Sequence, residues 1–185
     1  MKVGVNYPLT FQVFCCSVLL FSQIAPVRAA EDDRAEARQW LNRMAHAERT
    51  SNYEGTFVYR RGEKLVAMRV THVVDARGER ERLVTLNGVR REVLRDAAGV
   101  TAILPDENLV LINKGRLGHA FHTKLLQDTG ALDQHYVITD KGLSRTMGQE
   151  AHVIDIKSRD RFRYGYRLWI DRDTGLMLQS AVISD

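Results

Sequence analysis

The residue types that most often carry catalysis or bind metal ions are few and scattered in this chain. His119 and His122 lie three residues apart and on a helix both could face one metal ion, but no Asp, Glu or third His has ligand spacing. Asp133, His135 and Ser144 could combine an acid–base pair with a nucleophile, but no local signature accompanies them. No Gly-rich loop opens a helix after a strand, which excludes a phosphate-binding loop. We therefore expect no enzyme activity, no metal ion and no cofactor.

The N-terminal segment is typical of a secretory signal. Lys2 supplies positive charge, residues 9–24 are mostly apolar, and residues 27–29 offer a signal-peptidase site. We expect residues 1–29 to be removed on export, and a retained N-terminal anchor is the alternative. Both cysteines lie inside this segment, so the exported chain would have no disulfide, catalytic thiol or Cys-ligated metal.

The composition of the 185 residues favours one folded domain, which we place at residues 30–185. The chain is 44% apolar and 27% charged, with only three prolines, which excludes a low-complexity or largely disordered polymer. The formal net charge of +4 includes two basic residues of the signal segment. The charge is therefore a weak argument for nucleic-acid binding.

A helix is predicted over residues 31–49, followed by about ten strands. Apolar residues recur along the helix at three- and four-residue spacing, at Ala37, Trp40, Leu41, Met44 and Ala45. The period then changes to two, which predicts strands at residues 56–60, 64–74, 80–86, 89–95, 100–104, 109–113, 136–139, 152–157, 163–171 and 176–183. The short connections between them require antiparallel neighbours.

Two connecting segments have their own signals. Asn87 and Gly88 are typical of a two-residue type I′ hairpin. Residues 115–134 lose the alternation and allow a short helical insertion. The fold class is therefore α+β, with an N-terminal helix, a large antiparallel sheet and a helical insertion.

A sheet of about ten strands must curl or close, and one of its faces is apolar. Val66, Met68 and Val70 share a face in the second strand, and Leu168 and Ile170 do so near the C-terminus. This apolar face is either a core packed under the helices or a groove that accepts a ligand.

Arginines are concentrated in four places, and the last cluster contains Arg163 and Arg167. Arginine suits bidentate contacts with carboxylate or phosphate. The simpler interpretation is a solvated arginine face opposite the apolar one.

Several motifs together resemble the RseB/MucB family of periplasmic regulators of the envelope-stress sigma factor. They are found in order across residues 38–182, at residues 40–44, 52–59, 68–72, 79–83, 86–93 and, most specifically, 160–171 followed by 174–176. The resemblance implies a lipoprotein-carrier-like (LolA-like) domain, in which a curved half-barrel sheet holds helices against its concave face.

The resemblance also implies a function, a location and partners. Family members bind the periplasmic part of a membrane-anchored anti-sigma factor and shield it from regulated proteolysis, and lipid or lipopolysaccharide is thought to release them. We expect the groove to be lined by seven side chains: Phe57, Tyr59, Val66, Met68, Val70, Leu168 and Ile170. Arg163 and Arg167 are the candidates for contacts with a head group or a protein partner. The alternative is a periplasmic carrier of lipid or lipoprotein with no regulatory role.

Family members usually continue into a second, smaller β-rich domain. This sequence stops at Asp185 without that domain, so we expect either that it is truncated or that the protein has only the lipid-sensing domain. Self-association through the edge of the last strand is then an open alternative.

Overall fold

The computed structural model describes residues 26–114 and 129–183. The described helices are α1 (Pro26–Thr50) and α2 (Thr129–His135), with a 3₁₀ turn at Pro105–Glu107. The strands are β1 (Tyr53–Arg61), β2 (Lys64–Asp75), β3 (Gly78–Thr85), β4 (Glu92–Asp96), β5 (Gly99–Leu104), β6 (Leu109–Asn113), β7 (Tyr136–Thr146), β8 (Gln149–Ser158), β9 (Gly165–Asp171) and β10 (Met177–Ile183). Most of the expected signal segment, His119, His122 and most of the expected helical insertion lie outside the described residues.

The strands form two open antiparallel sheets instead of the single broad sheet expected from the sequence. One has six strands in the order β1-β2-β3-β4-β5-β6, and the other has four in the order β10-β9-β8-β7. Within each sheet, every strand pairs with its neighbour in sequence, as the short connections require. The α+β class with few helices is confirmed, whereas a half-barrel shape stays a prediction.

Helix α1 packs its predicted apolar stripe against the four-stranded sheet, at β7 and β8. Ala37, Leu41 and Met44 are fully buried there. They join a core formed by Leu132, Ile138, Ile154, Ile156, Tyr166, Leu168 and Ile170. Burying a side chain such as leucine contributes about 1.5–3 kcal/mol, so this interface is the main hydrophobic contribution to the fold. No helix in the two described ranges is long and apolar enough to cross a membrane.

Two connections differ from the sequence expectation. The loop between β3 and β4 is longer than a two-residue turn, because the Asn87 side chain binds β2 instead: it accepts a hydrogen bond from Ala67 N (2.7 Å) and donates one to Leu65 O (3.0 Å). Strand β7 runs beyond residue 139 because a bulge between Asp140 and Leu143 lets it continue past Gly142.

Candidate functional site

A continuous row of apolar residues crosses five strands of the six-stranded sheet. Val70 pairs with Leu83, Leu83 with Val93, Val93 with Ala102, and Ala102 with Leu111. Directly paired residues point to the same side of a sheet, so these five side chains lie side by side from β2 to β6. We call them the apolar row.

The apolar row is extended at β1 and β2 by four more of the predicted groove residues. Phe57 pairs with Met68 and Tyr59 with Val66, on the same side of the sheet as Val70. We call this whole side the apolar face. Its outer strands are open, since Phe57 is 40% and Tyr59 55% exposed and Leu111 of β6 is 54% exposed. Its centre is closed, because Val93 and Ala102 are buried.

The other two predicted groove residues lie elsewhere. Leu168 and Ile170 are in β9 of the four-stranded sheet and are buried in the core with Leu41 and Met44 of α1. The structure therefore brings five of the seven candidates together and places two under the helix. Strand alternation identifies the apolar side of each strand but not the sheet to which that strand belongs.

The opposite side of the six-stranded sheet carries arginines in ion pairs. Arg82 Nε lies 2.6 Å from Glu92 Oε1, and Arg80 Nη2 lies 2.6 Å from Asp75 Oδ2. These pairs are exposed and each contributes little stability. They support solvated ion pairs as the simpler interpretation of the arginine clusters. This side of the sheet is mixed and not purely charged, because exposed apolar residues also lie on it: Val58, Leu65, Val110 and Ile112.

Arg163 and Arg167 each pair with a carboxylate of their own chain. Arg167 donates two hydrogen bonds to Asp155, 2.6 Å from Nε to Oδ1 and 2.8 Å from Nη2 to Oδ2, and this guanidinium holds the pKa of Asp155 below its usual value. Arg163 pairs with Asp160. An anionic ligand would have to compete with these carboxylates, most strongly at Arg167, because Asp155 is almost fully buried.

A polar row runs beside the apolar row on the same face, two residues along each strand. Tyr53, His72, Glu81 and Arg95 are paired in sequence across β1 to β4. His72 is buried; its Nδ1 donates to Ser51 O at 2.8 Å, and its ring stacks on Tyr53 with 4.8 Å between the centroids. Sequence reasoning did not find this row, because only the strand register shows that these residues are neighbours.

Two further polar contacts and one charge repulsion complete the polar row. His72 Nε2 lies 3.2 Å from Glu79 Oε1, and Arg95 Nη1 lies 3.0 Å from Glu81 Oε1. Glu48, near the end of α1, has its pKa raised to about 7, first by burial and then by the negative charge of Glu81. Burial and the same carboxylates also raise the pKa of Tyr53. The polar row is therefore a dense group of ionisable side chains next to an apolar surface.

The residues considered for hydrolysis do not come together. Asp133 pairs with Arg38, and His135 ends α2 just before β7 begins. Ser144 is near the other end of β7, about 25 Å away at about 3.3 Å per residue. The one group of described residues that could hold a metal ion is Glu36, Asp140 and His152, which lies apart from the apolar face.

These features define a class: an α+β protein whose open sheet presents an apolar strip bordered by ionisable groups, which suits binding better than catalysis. The chain belongs to the MucB/RseB family, since the model of the MucB/RseB N-terminal domain matches residues 36–185.

Curated relatives agree with this assignment. Over 176 residues the chain is 34% identical to the sigma factor AlgU regulatory protein MucB of Pseudomonas aeruginosa, covering 91% of this chain and 51% of the relative. It is 29% identical to the sigma-E factor regulatory protein RseB of Haemophilus influenzae, covering 95% of this chain and 54% of the relative. The chain thus spans about half the length of these relatives.

Solved structures of MucB are similar in fold as well as in sequence. A Pseudomonas aeruginosa MucA/MucB complex matches with a TM-score of 0.64 and 35% identity, over 81% of this chain and 52% of the matched chain. MucB in complex with MucA(peri) matches with a TM-score of 0.61 and 37% identity, over 80% of this chain and 50% of the matched chain.

Proposed function

We propose that this chain is a non-enzymatic, periplasmic negative regulator of an envelope-stress sigma-factor pathway. It binds the periplasmic domain of a membrane-anchored anti-sigma factor and shields that domain from regulated proteolysis. The apolar face receives the acyl chains of lipid or lipopolysaccharide. The observation that carries the ligand part of this proposal is the apolar row, which joins β2 to β6 without interruption.

An amphiphile matches the chemistry of this face. Acyl chains gain about 25 cal/mol for each Å² of apolar surface removed from water, and the exposed side chains of β1 and β6 leave such surface available. Arg95 of the polar row lies two residues along β4 from Val93 of the apolar row and is partly exposed, so a charged head group would sit there. The acyl chain of an amphiphile would therefore lie on the apolar row and its head group on the neighbouring polar row.

The protein partner is proposed from the family and its solved complexes. MucB, which is similar to this chain over about half its length, has been solved with MucA. Binding of the ligand and of the partner would then be linked. An amphiphile that favours the free regulator weakens anti-sigma binding by a certain factor, and the anti-sigma factor weakens amphiphile binding by that same factor.

A periplasmic lipid or lipoprotein carrier without regulatory role is the alternative, because the same apolar face would suit it. The two functions separate on one measurement. A regulator protects the anti-sigma domain from proteolysis, and a carrier has no effect on it.

The decisive experiment measures proteolysis of the anti-sigma periplasmic domain with and without this chain, and again with added lipopolysaccharide. We expect protection that lipopolysaccharide removes. MucB with MucA serves as the positive control for the assay. Absence of binding by this chain in a pull-down in which MucB binds would overturn the regulatory proposal.

A matched pair of variants tests whether the apolar face is the ligand site. Leu111 and Val110 are neighbours in β6, both 54% exposed, and they point to opposite sides of the sheet. Leu111→Asp should make protection resistant to lipopolysaccharide, whereas Val110→Asp should respond as the unmodified chain does. Equal responses from both variants would refute the assignment of the ligand to this face.

A further inference from the structure

We propose that Glu36, Asp140 and His152 form a binding site for a divalent transition-metal ion of the zinc type, between α1 and the β7–β8 pair. One ligand atom from each of the three side chains lies within 4.8 Å of the other two. The site lies at the helix–sheet interface of the four-stranded sheet, away from the apolar face, and does not depend on the proposed function.

Helix α1 places Glu36 above His152. Trp40 follows Glu36 by one helical turn, and residues four apart lie on the same side of a helix. The Trp40 ring stacks on the His152 imidazole, with 3.9 Å between centroids and 20° between planes. This stacking fixes the imidazole plane and explains why the carboxylate one turn earlier is close to it.

A β-bulge directs Asp140 toward the same point. The register of β7 against β8 shifts between Asp140 and Leu143, and Leu143 is the residue paired with His152. The bulge is held by a hydrogen bond from Gly142 N to Asp140 Oδ1 at 2.6 Å, with Gly142 at a positive φ of 79°. Bulges commonly redirect a side chain next to a functional site. Here the bulge leaves Asp140 Oδ2 facing the histidine.

The distances suit a tetrahedral metal ion. Asp140 Oδ2 and His152 Nδ1 are 3.2 Å apart and share a hydrogen bond, which a bound ion would replace. Two ligands bound to Zn²⁺ at about 2.0–2.1 Å in tetrahedral geometry are separated by about 3.3 Å. Asp140 and His152 are already close to that separation and are largely buried, at 8% and 14% side-chain exposure. Glu36 is exposed, and one of its carboxylate oxygens lies within 4.8 Å of a ligand atom of each of these two side chains.

The donor set selects the kind of ion. One imidazole nitrogen and two carboxylates suit zinc and related first-row ions, whereas Mg²⁺ and Ca²⁺ prefer oxygen donors in larger number. Two carboxylates and a neutral imidazole also balance the charge of a divalent ion. The fourth position would face solvent on the side of Glu36 and take a water molecule.

Calorimetric titration of the untagged chain with ZnCl₂, with MgCl₂ in parallel, tests the proposal. We expect one saturable zinc site, a rise in melting temperature with zinc, and no such response to magnesium. Glu36→Gln should weaken zinc binding at least about ten-fold, since it removes a ligand. His46→Gln is the matched control, because His46 is an exposed histidine of the same helix, and should bind zinc as the unmodified chain does.

Two results would overturn the proposal. One is the absence of saturable zinc binding at concentrations up to about 100 μM. The other is binding that Glu36→Gln leaves unchanged, which would place the ion on other residues. Because Glu36 is exposed, this variant tests the site even where His152→Gln fails to fold.

Discussion

Replacing Glu48 with Gln should stabilise the protein at alkaline pH and have a much smaller effect in acid. Glu48 has a pKa of about 7 in the folded protein against an ordinary value of 4.5, because burial and the charge of Glu81 oppose its ionisation. The folded state therefore binds more protons than the unfolded state between these two values. Stability contributed by this group is present below pH 4.5, falls as the pH rises to about 7, and is lost above it.

The magnitude follows from the same two pKa values. Each pKa unit corresponds to about 1.4 kcal/mol, so ionised Glu48 costs the folded protein up to about 3 kcal/mol at pH 8. Glu48→Gln removes the charge and keeps the shape. We expect the variant to gain about 2–3 kcal/mol over the unmodified chain at pH 8 and to lose that advantage at pH 4.5.

Urea denaturation of both proteins at several pH values between 4.5 and 8 measures this difference. Taking the difference between variant and unmodified chain cancels the other titrating groups that they share. Glu63→Gln is the control, since Glu63 is exposed in the turn between β1 and β2 and its replacement should have no pH-dependent effect. A Glu48→Gln difference that is constant across this pH range would refute the reasoning.

Three further substitutions test two other parts of the structure. Arg167→Ala should lower the free energy of unfolding, measured with urea, by about 2–4 kcal/mol, because it leaves the buried Asp155 carboxylate without its bidentate partner. Arg163→Ala breaks a more exposed pair and should lower it by less than about 1 kcal/mol. Equal losses would contradict this ranking. Gly99→Ala should lower the melting temperature by several degrees, since φ is 144° and a Cβ would lie 2.2 Å from Asn113 O; an unchanged melting temperature would show that the β5–β6 edge adjusts freely.

Helix and strand positions were predictable because local periodicity determines them. Residues 109–113 were predicted as the strand that the structure has as β6, and the α1 stripe of Ala37, Leu41 and Met44 is buried as its spacing indicates. Both results depend only on neighbours a few residues apart.

The grouping of strands into two sheets was not predictable in this way. Leu168 alternates along its strand just as Val70 does, but β9 pairs with β8 and β10 whereas β2 pairs with β1 and β3. The polar row around His72 and the convergence of Asp140 on His152 depend on register and on a bulge. Such long-range pairings leave no signal in a single sequence.

Helix α1 packs mainly on the four-stranded sheet, and this has a consequence for local unfolding of the protein. The described core is concentrated between α1 and the four-stranded sheet, whereas the six-stranded sheet contributes Val93 and Ala102 as its buried apolar side chains among the described residues. Regions with little buried apolar surface unfold locally at lower free energy than the rest of a domain. Amide hydrogens of β1 to β6 should therefore exchange with solvent sooner than those of β8 and β9. A ligand bound on the six-stranded sheet would slow that exchange by stabilising the paired strands.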